Sequence, residues 1–565
     1  GVMPNGPPPD RVERARRAED EIEESLKLLR ANHFCRGVRH GREYICYHQV
    51  PSSDADVGEA VRLLDEAIAR IQHWRIWDTW WVNRYKEGWL AIRKSIDDGL
   101  RGRYGDDDVD VILSVIDNGF ISHIDRFKEY WKSGSGIEVK EIIDGLVSGK
   151  EEVVIWENMS GLSVYGRNIL LSVSKTSESG TAVHLVLRGL EGMTLEVPKI
   201  FDERFIRELL TPLKIGFAET DESVDEGKPV MSTSKPWQAV LWSFMHYGRV
   251  RMRLHSINVN KYDVTTTWQL RSIDHESLKG FLNNTEKLDK LSREALLAIL
   301  FTAVLGDGSA LITNTVANGR VYAKPVIELV MSSKKYEVWE PFLNKLKSNG
   351  FLWYKDPRTD KSVNVVFAGS HAVDVARGII NILPPIMKDL LDALAIKTWI
   401  NMKQIAEYEP KFRKGMQIIF IADYAFSVSI RGTVEARHNA KDESEVKVIR
   451  EKLRMFYGDE FVNQINVYPE KGGKYLTIIV PMRLIEKYNS IKVQTIRVLC
   501  KKLNVVKDEK KKRTIIRHLI RLTAPTEGAA AVGLGLILRT LHGLPLPSLL
   551  LRTSLGWRLI AFTRL

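Results

Sequence analysis

One stretch restricts the fold of this chain more than any other. Leu291–Leu305 is an apolar run carrying Leu296, Leu297, Ile299, Leu300, Ala303 and Val304, and it stops at Gly306-Asp307-Gly308. A helix that is apolar on every side must be buried on every side, against other helices or within a core. Gly-Asp-Gly by itself reads as an ordinary helix stop and turn. The residues beyond it give the stretch more content. Two strand-like runs, Ser309–Asn314 and Arg320–Met331, flank an Asn318-Gly319 turn. An amphipathic helix, Lys335–Ser348, two more strands, Phe351–Tyr354 and Ser362–Ala368, and a helix His371–Ile382 before Pro384-Pro385 complete an αββαββα order over 286–385.

A weaker copy follows over 386–505. It has a helix from Met387 to about Tyr408, strands Met416–Ala422 and Ala425–Ala436, a helix Ser444–Tyr457, strands Gln464–Tyr468 and Tyr475–Pro481, and a helix Arg483–Leu503. In both copies a strand divides into two faces. Arg320, Tyr322 and Lys324 alternate with Val321, Ala323, Ile327 and Leu329; Ser427, Ser429 and Arg431 alternate with Phe426, Val428 and Ile430. An antiparallel sheet packed on helices by one face, with a polar and basic outer face, suits the major groove of double-stranded DNA. Any half-exposed sheet would show the same alternation.

The remaining regions are less explicit. Residues 1–155 read as mostly helical, with a leader helix at Arg11–Ala31. Trp74, Trp77 and Trp81 fall on one helix face, either as core or as a surface that stacks bases. From 156 to 285 the pattern is β-rich, with strand-like runs Ser163–Val173, Ala182–Leu190, Arg249–Ile257 and Thr265–Leu270 around a turn-rich connector, Glu219–Pro236. The stretch 506–565 is a basic and then apolar tail, expected to be disordered. The expected architecture is thus α+β and multidomain. A chain of 565 residues with 83 Lys and Arg against 71 Asp and Glu carries +12, and that excess favours a polyanionic partner. No apolar run is long enough to span a membrane, and the start is polar, so the expectation is a cytoplasmic protein without a membrane partner.

The line Leu300-Phe301-Thr302-Ala303-Val304-Leu305-Gly306-Asp307-Gly308-Ser309 resembles the LAGLIDADG signature of the homing endonucleases. That resemblance implies two such helices side by side at the centre, each delivering an acidic residue to the DNA backbone, where paired carboxylates hold Mg²⁺ for phosphodiester hydrolysis. Asp307 is the carboxylate it designates. Phe301-Thr302 stands where the family places small residues, which implies helices set further apart or rotated. The second copy lacks Gly-Asp-Gly, and Glu407 and Glu409 are its nearest acidic stand-ins. Two readings follow: a DNA-binding protein with reduced or lost cleavage, or an active Mg²⁺-dependent endonuclease, as a monomer with a pseudo-repeat or as a homodimer. A structural or interaction protein without nucleic acid is the third.

The stretch from Phe217 to Glu409 also resembles the PaRep proteins of the 2b type, encoded by repeated elements in crenarchaeal genomes. The matching residues include Thr220-Asp221, Pro236-Trp237-Gln238 with Trp242, and Ala303–Ser309. That resemblance implies a mobile-element context and no activity. Finally, His33-Phe34-Cys35 and Cys46-Tyr47-His48 mirror each other about His40-Gly41. A hairpin turning there would gather His33, Cys35, Cys46 and His48 for Zn²⁺ or pair the cysteines as a disulfide; buried cysteines with exposed histidines would look the same.

Overall fold

The computed structural model describes residues 33–524 apart from 41–42, 52, 177–179, 318, 360, 410–416 and 471–472, together with 550–553 and 556–559. The leader helix expected at Arg11–Ala31 lies outside these residues. Two compact units emerge: one runs to Asn284 and adds Ala298–Asp307 and Ile382–Ile400, the other comprises Thr285–Leu297, Gly308–Asn381 and Asn401 onward. The junction between Asn284 and Thr285 falls beside the sequence boundary expected at 285, and the one between Asn381 and Ile382 lies near that expected at 385, whereas none falls at 155 or 505. The apolar run and the segment after Pro384 bury side chains against elements placed much earlier in the chain: Ser95 Oγ donates to the Ala393 carbonyl at 2.6 Å, and Tyr104 Oη to Asp389 at 2.7 Å.

The first unit is built on one long sheet. Its strands are β1 (His33–His40), β2 (Glu43–Gln49), β3 (Glu152–Trp156), β4 (Gly161–Tyr165), β5 (Ile169–Lys175), β6 (Thr181–Leu187), β7 (Met193–Val197), β8 (Glu222–Asp225), β9 (Lys228–Thr233), β10 (Gly248–Val259) and β11 (Val264–Ser272). They run in the order β2-β1-β3-β4-β5-β6-β10-β11-β9-β8, with β7 also on β10. The N-terminal region is therefore not wholly helical, because His33–Gln49 forms a hairpin whose β1 pairs in parallel with β3. The run Ser163–Val173 is a hairpin too, divided between β4 and β5. Helices α1 (Ala55–His73) and α2 (Trp80–Leu100), followed by a helical stretch over 106–147, pack on this sheet.

Within that sheet lies a module that the residue pattern does not announce. Helix α3 (Thr211–Thr220), β8, β9, helix α4 (Pro236–Met245), β10 and β11 follow one another as αββαββ, and the strands lie side by side as first-second-fourth-third. Glu219–Pro236 is thus no connector: it holds the helix end and both strands of a hairpin.

Two further modules repeat this order in the second unit, apart from part of each leading helix. One starts from α5 (Arg293–Asp307) and holds β12 (Gly308–Ala317), β13 (Arg320–Ser332), α6 (Ser333–Ser348), β14 (Tyr354–Thr359), β15 (Ser362–Ala368) and α7 (Ser370–Ile382), with strand order β12-β13-β15-β14. Ala317 pairs with Arg320, the register expected for a hairpin there, although Asn318 of the expected turn lies outside the described residues. After helix α8 (Pro385–Ala393) the last module begins at α9 (Lys397–Glu407), so the single helix expected from Met387 to Tyr408 is two. It continues as β16 (Ile418–Ile421), β17 (Tyr424–Arg431), β18 (Thr433–Ala440), α10 (Glu443–Tyr457), β19 (Asn466–Pro469), β20 (Leu476–Val480) and α11 (Asn489–Val505), ordered β16-β17-β18-β20-β19. Gly432, at φ +79°, breaks what reads as one strand into two.

The basic segment after 506 is a helix, α12 (Glu509–Thr523), capped by Asp508. Its Ile515, Leu519 and Leu522 bury in the core of the last module, which corrects the expectation of disorder for that part. The rest of the tail, apart from 550–553 and 556–559, lies outside the described residues.

Cys35 and Cys46 are joined as a disulfide. The four-ligand zinc arrangement is not assembled: a bulge at Arg36–Gly37 sets Cys46 opposite Gly37 and His48 opposite Arg36. Among the described residues the one group of three metal-ligand types is Cys35, Cys46 and Glu152, and both of its sulfurs are spent in the disulfide. Cys500 is buried and outside any disulfide. Thiol titration of the unfolded chain is therefore expected to find one thiol per chain without reductant and three after reduction; three from the start would refute the bridge.

Candidate metal centre and nucleic-acid interface

The buried rod is α5. Ser292 caps its start, accepting from Ala295 N–H at 3.1 Å, and every residue from Ala295 to Leu305 is buried. Its first-module counterpart is α3, in which Pro212, Leu213, Ile215, Gly216, Phe217 and Ala218 are buried. The two helices cross in contact at Gly216. A Cβ there would collide with Thr302 Oγ1, with the Ile299 carbonyl and, at 2.8 Å, with the Ala303 nitrogen. Thr302 donates its hydroxyl to the Leu213 carbonyl at 2.7 Å. The expectation that Phe301-Thr302 holds the helices apart is therefore corrected: the small residue sits on the partner helix, and Thr302 fills the space it leaves. Phe301 turns to another neighbour, meeting the buried Trp399 edge-on at 5.8 Å between centroids.

This crossing sets the two helix ends beside each other. The position a Cβ would take on Gly306 is 2.7 Å from Asp221 Oδ2 and 2.7 Å from Thr220 Oγ1. Asp221 thus lies against the residue preceding Asp307, and both aspartates are half-buried. Gly306 is required here, because any side chain would displace the Asp221 carboxylate.

Helix α4 orients the acidic end of α3. Gln238, itself buried, donates Nε2–H to Asp221 Oδ2 at 2.6 Å, while Thr233 donates its hydroxyl to Gln238 Oε1 at 2.7 Å and so fixes which end of the amide faces the carboxylate. One turn further along α4, Trp242 donates Nε1–H to Glu222 Oε1 at 2.8 Å. Consecutive acids therefore take donors four residues apart on one helix face. Their surroundings differ sharply. Burial pushes the Glu222 carboxyl up to about 7, despite the Trp242 hydrogen bond. The neighbouring His246, stacked on Trp242 at 4.0 Å, is held neutral by burial, as its ordinary pKa is lowered. Glu219 is taken up elsewhere, accepting from the Leu282 N–H at 3.3 Å.

The sequence-designated stand-ins occupy other roles. Glu409 is exposed and pairs with Arg377 at 3.2 Å, and Glu407 is exposed at the end of α9. The α9 backbone is tied down by Asn401 Nδ2 on the Ala310 carbonyl at 2.8 Å and by Arg377 Nε on the Ala406 carbonyl at 2.8 Å.

The three sheets present different faces. On β10 and β11 of the first module, Arg249, Arg251, Arg253, Gln269 and Arg271 stand on the side away from Val250, Met252, Leu254 and Leu270, which are buried. Arg249 pairs with Asp274 at 2.6 Å, Arg271 with Asp225 at 3.0 Å, and Arg253 bonds Gln269 at 2.8 Å. Arg251 faces Arg271 across the ladder and has no carboxylate partner among the described residues. Such like-charge opposition is unfavourable without an anion.

On β13 the expected alternation holds at the core end, where Ile327 and Leu329 are buried and Tyr322 and Lys324 are on the other face; Val321 is 67% exposed, beyond the core edge. Lys324 lies over the Tyr354 ring at 6.0 Å. Glu328 shares this face, bonded by Ser309 at 3.0 Å and Asn364 at 2.7 Å, so the face is polar and mixed in charge. The Arg320 side chain lies outside the described residues. In the last module Ser427, Ser429 and Arg431 stand opposite the buried Phe426 and Val428, beside a Glu435–Arg437 pair at 2.8 Å.

No family model matches this chain, and no curated protein does. The PaRep resemblance and a mobile-element context thus gain nothing from these comparisons. Solved structures to which the chain is similar include LAGLIDADG homing endonucleases. I-GzeII in complex with its DNA target is 10% identical at a TM-score of 0.12, covering 40% of this chain and 96% of its own. I-SmaMI bound to cleaved DNA is 8% identical at 0.13, covering 40% and 96%. I-SmaMI bound to an uncleaved target in the presence of calcium ions is 10% identical at 0.12, covering 40% and 98%. Superpositions this poor add nothing to the element order and helix crossing described above.

Two outcomes follow from this geometry. Gly216→Val forces a side chain into the α5 backbone and is expected to cost about 1–3 kcal/mol or more, read as a fall in the thermal midpoint; an unchanged midpoint would remove the crossing. Glu222, with Lys214, Lys279, His246 and Asp221 around it, favours its protonated form in the fold. Its raised pKa means that the stabilisation is complete below the ordinary value of 4.5 and is lost as pH rises through about 7. Glu222→Gln is expected to remove roughly 3 kcal/mol of that alkaline loss, measured as the difference between the two pH–stability profiles.

Proposed function

We propose that this chain binds double-stranded DNA and hydrolyses a phosphodiester bond with a divalent cation, Mg²⁺ foremost, held by Asp221 and Asp307. The observation that carries the reading is the Asp221 carboxylate lying against Gly306, at the foot of two buried helices in tight contact. The donor set fits a hard cation: two carboxylates, both half-buried, one of them oriented by a buried amide. When bound, such a cation supplies Lewis-acid stabilisation of the phosphate oxygens and lowers the pKa of water.

The chain's own residues do the rest. Gln238 holds Asp221 in one rotamer, so no reorientation is needed when a phosphate arrives. Gly306 and Gly308 leave the backbone bare on either side of Asp307, giving a phosphate room to approach. Arg251, without a carboxylate partner among the described residues, and Lys324 offer charge for phosphate contacts. Tyr322, Ser427, Ser429 and Arg431 are suited to hydrogen-bond base edges or phosphates, and Arg320 would extend that set. Because both aspartates belong to one chain, a monomer suffices, and neither Glu407 nor Glu409 is needed. The missing second acid was one reason to expect reduced cleavage, and Asp221 would supply it.

Nicking of supercoiled plasmid in Mg²⁺ is expected to drop about a hundredfold in Asp221→Asn and in Asp307→Asn, and no further in the double variant, with duplex affinity nearly unchanged. Wild-type nicking by either single variant would refute the pair; tight binding without any cleavage by the native chain would leave a DNA-binding protein. Arg251→Ala and Lys324→Ala should each lower the slope of log affinity against log salt by about one. Slopes equal to the native chain's would remove those residues from the interface.

A further inference from the structure

Away from the paired helices, the first unit contains a cavity of about 260 Å³ bordered by Trp74, Trp80, Arg84, Gly88, Pro236 and Asp263. The tryptophan-rich stretch divides here into two roles. Trp81 and Trp89 are 2% and 1% exposed and belong to the core, whereas Trp80 is 38% exposed, a large aromatic left open to solvent. Both indoles of the rim are fixed by their polar edges: Trp74 donates Nε1–H to the Asn260 carbonyl at 3.0 Å and Trp80 to the Trp74 carbonyl at 2.9 Å. Their rings stack on each other at 5.8 Å. With both rim indole donors satisfied by backbone, what the Trp74 and Trp80 rings offer a ligand is flat apolar surface.

Polar groups flank that surface with both charges. The exposed Arg84 guanidinium lies 6.0 Å from the Trp74 centroid and has no carboxylate partner among the described residues. Asp263, in the β10–β11 turn, takes Asn260 Nδ2–H on Oδ1 at 3.0 Å. Gly88 keeps the space open, since a Cβ there would meet nothing within 4 Å. Glycine in the middle of a helix such as α2 is destabilising, so the opening comes at the expense of the helix.

We propose that this cavity binds the base of an unpaired nucleotide, with the ring stacked on the Trp74–Trp80 pair, its phosphate on Arg84 and an exocyclic amino group donating to Asp263. Flat apolar faces beside one cation and one hydrogen-bond acceptor match a nucleotide that bears an amino group. The aromatic side chain of a protein partner would use the faces and leave the cation idle. The size admits one ring system and no duplex.

The site is independent of Asp221 and Asp307, and its test needs no metal. A single-stranded ten-nucleotide oligomer of deoxycytidine with one 5-iodocytosine is photocrosslinked to the full chain, and the adduct is mapped by mass spectrometry. Adducts on the peptides holding Trp74 or Trp80 are expected, with affinity for oligo-dC above that for oligo-dT. Gly88→Leu, which fills the cavity, and Arg84→Ala should each weaken oligo-dC by about tenfold, with duplex affinity unchanged and the thermal midpoint not lowered. Asp263→Asn should erase the dC-over-dT preference. Adducts confined to other peptides, or undiminished oligo-dC affinity in the well-folded Gly88→Leu variant, would overturn the proposal.

Discussion

The closeness of two buried helices governs everything at the candidate centre. Because Gly216 presents no side chain, Thr302 of α5 reaches the Leu213 carbonyl of α3, and the backbones approach as far as packing permits. The crossing at Gly216 and Thr302 lies close to the ends of both helices, so those ends fall close together. The acidic residues at their ends then become neighbours without any long side chain having to reach. Interior packing of this kind tolerates little adjustment, so the carboxylate positions are set by the core.

Around this crossing, one helix controls two adjacent acids in opposite ways. Asp221 leaves the end of α3 half-buried and is held by Gln238, whereas Glu222 turns inward to Trp242 and is pushed by burial towards the protonated form. Proximity in sequence gives no hint of this difference. It comes from the strand that begins at Glu222, which sends successive side chains to opposite sides. The Pro236-Trp237-Gln238 motif, with Trp242 a turn later, thereby finds a physical role as the support of an acidic helix end.

Three modules of one element order have diverged in what they carry. The first has the arginine-rich face, the second the Gly-Asp-Gly end and a face of mixed charge, and the third an extra edge strand and an added amphipathic helix over its core. The helix that opens the third module ends in Glu407, exposed, and a few residues on Glu409 pairs with Arg377. The element order recurs more faithfully than the residues of the site.

Much of this was legible from residue order alone. An apolar run needing burial on all sides, a hairpin at Asn318-Gly319, and the alternation along β13 and β17 follow from local propensity and period, and these located two modules and Asp307. The first module stayed hidden because Glu219-Thr220-Asp221-Glu222 looks like a polar turn; only the burial of α3 and the pairing of β8 with β9 reveal a helix end and a hairpin there. The small residue at the helix crossing, Gly216, lies 86 positions before Thr302, and the mirrored Cys35 and Cys46 gave no sign of the bulge that shifts their register. Local sequence fixes which segments are helices and strands, since those preferences act over a few residues. Which carboxylate stands beside Asp307 was decided by tertiary packing, because that depends on contacts between segments that the chain keeps far apart.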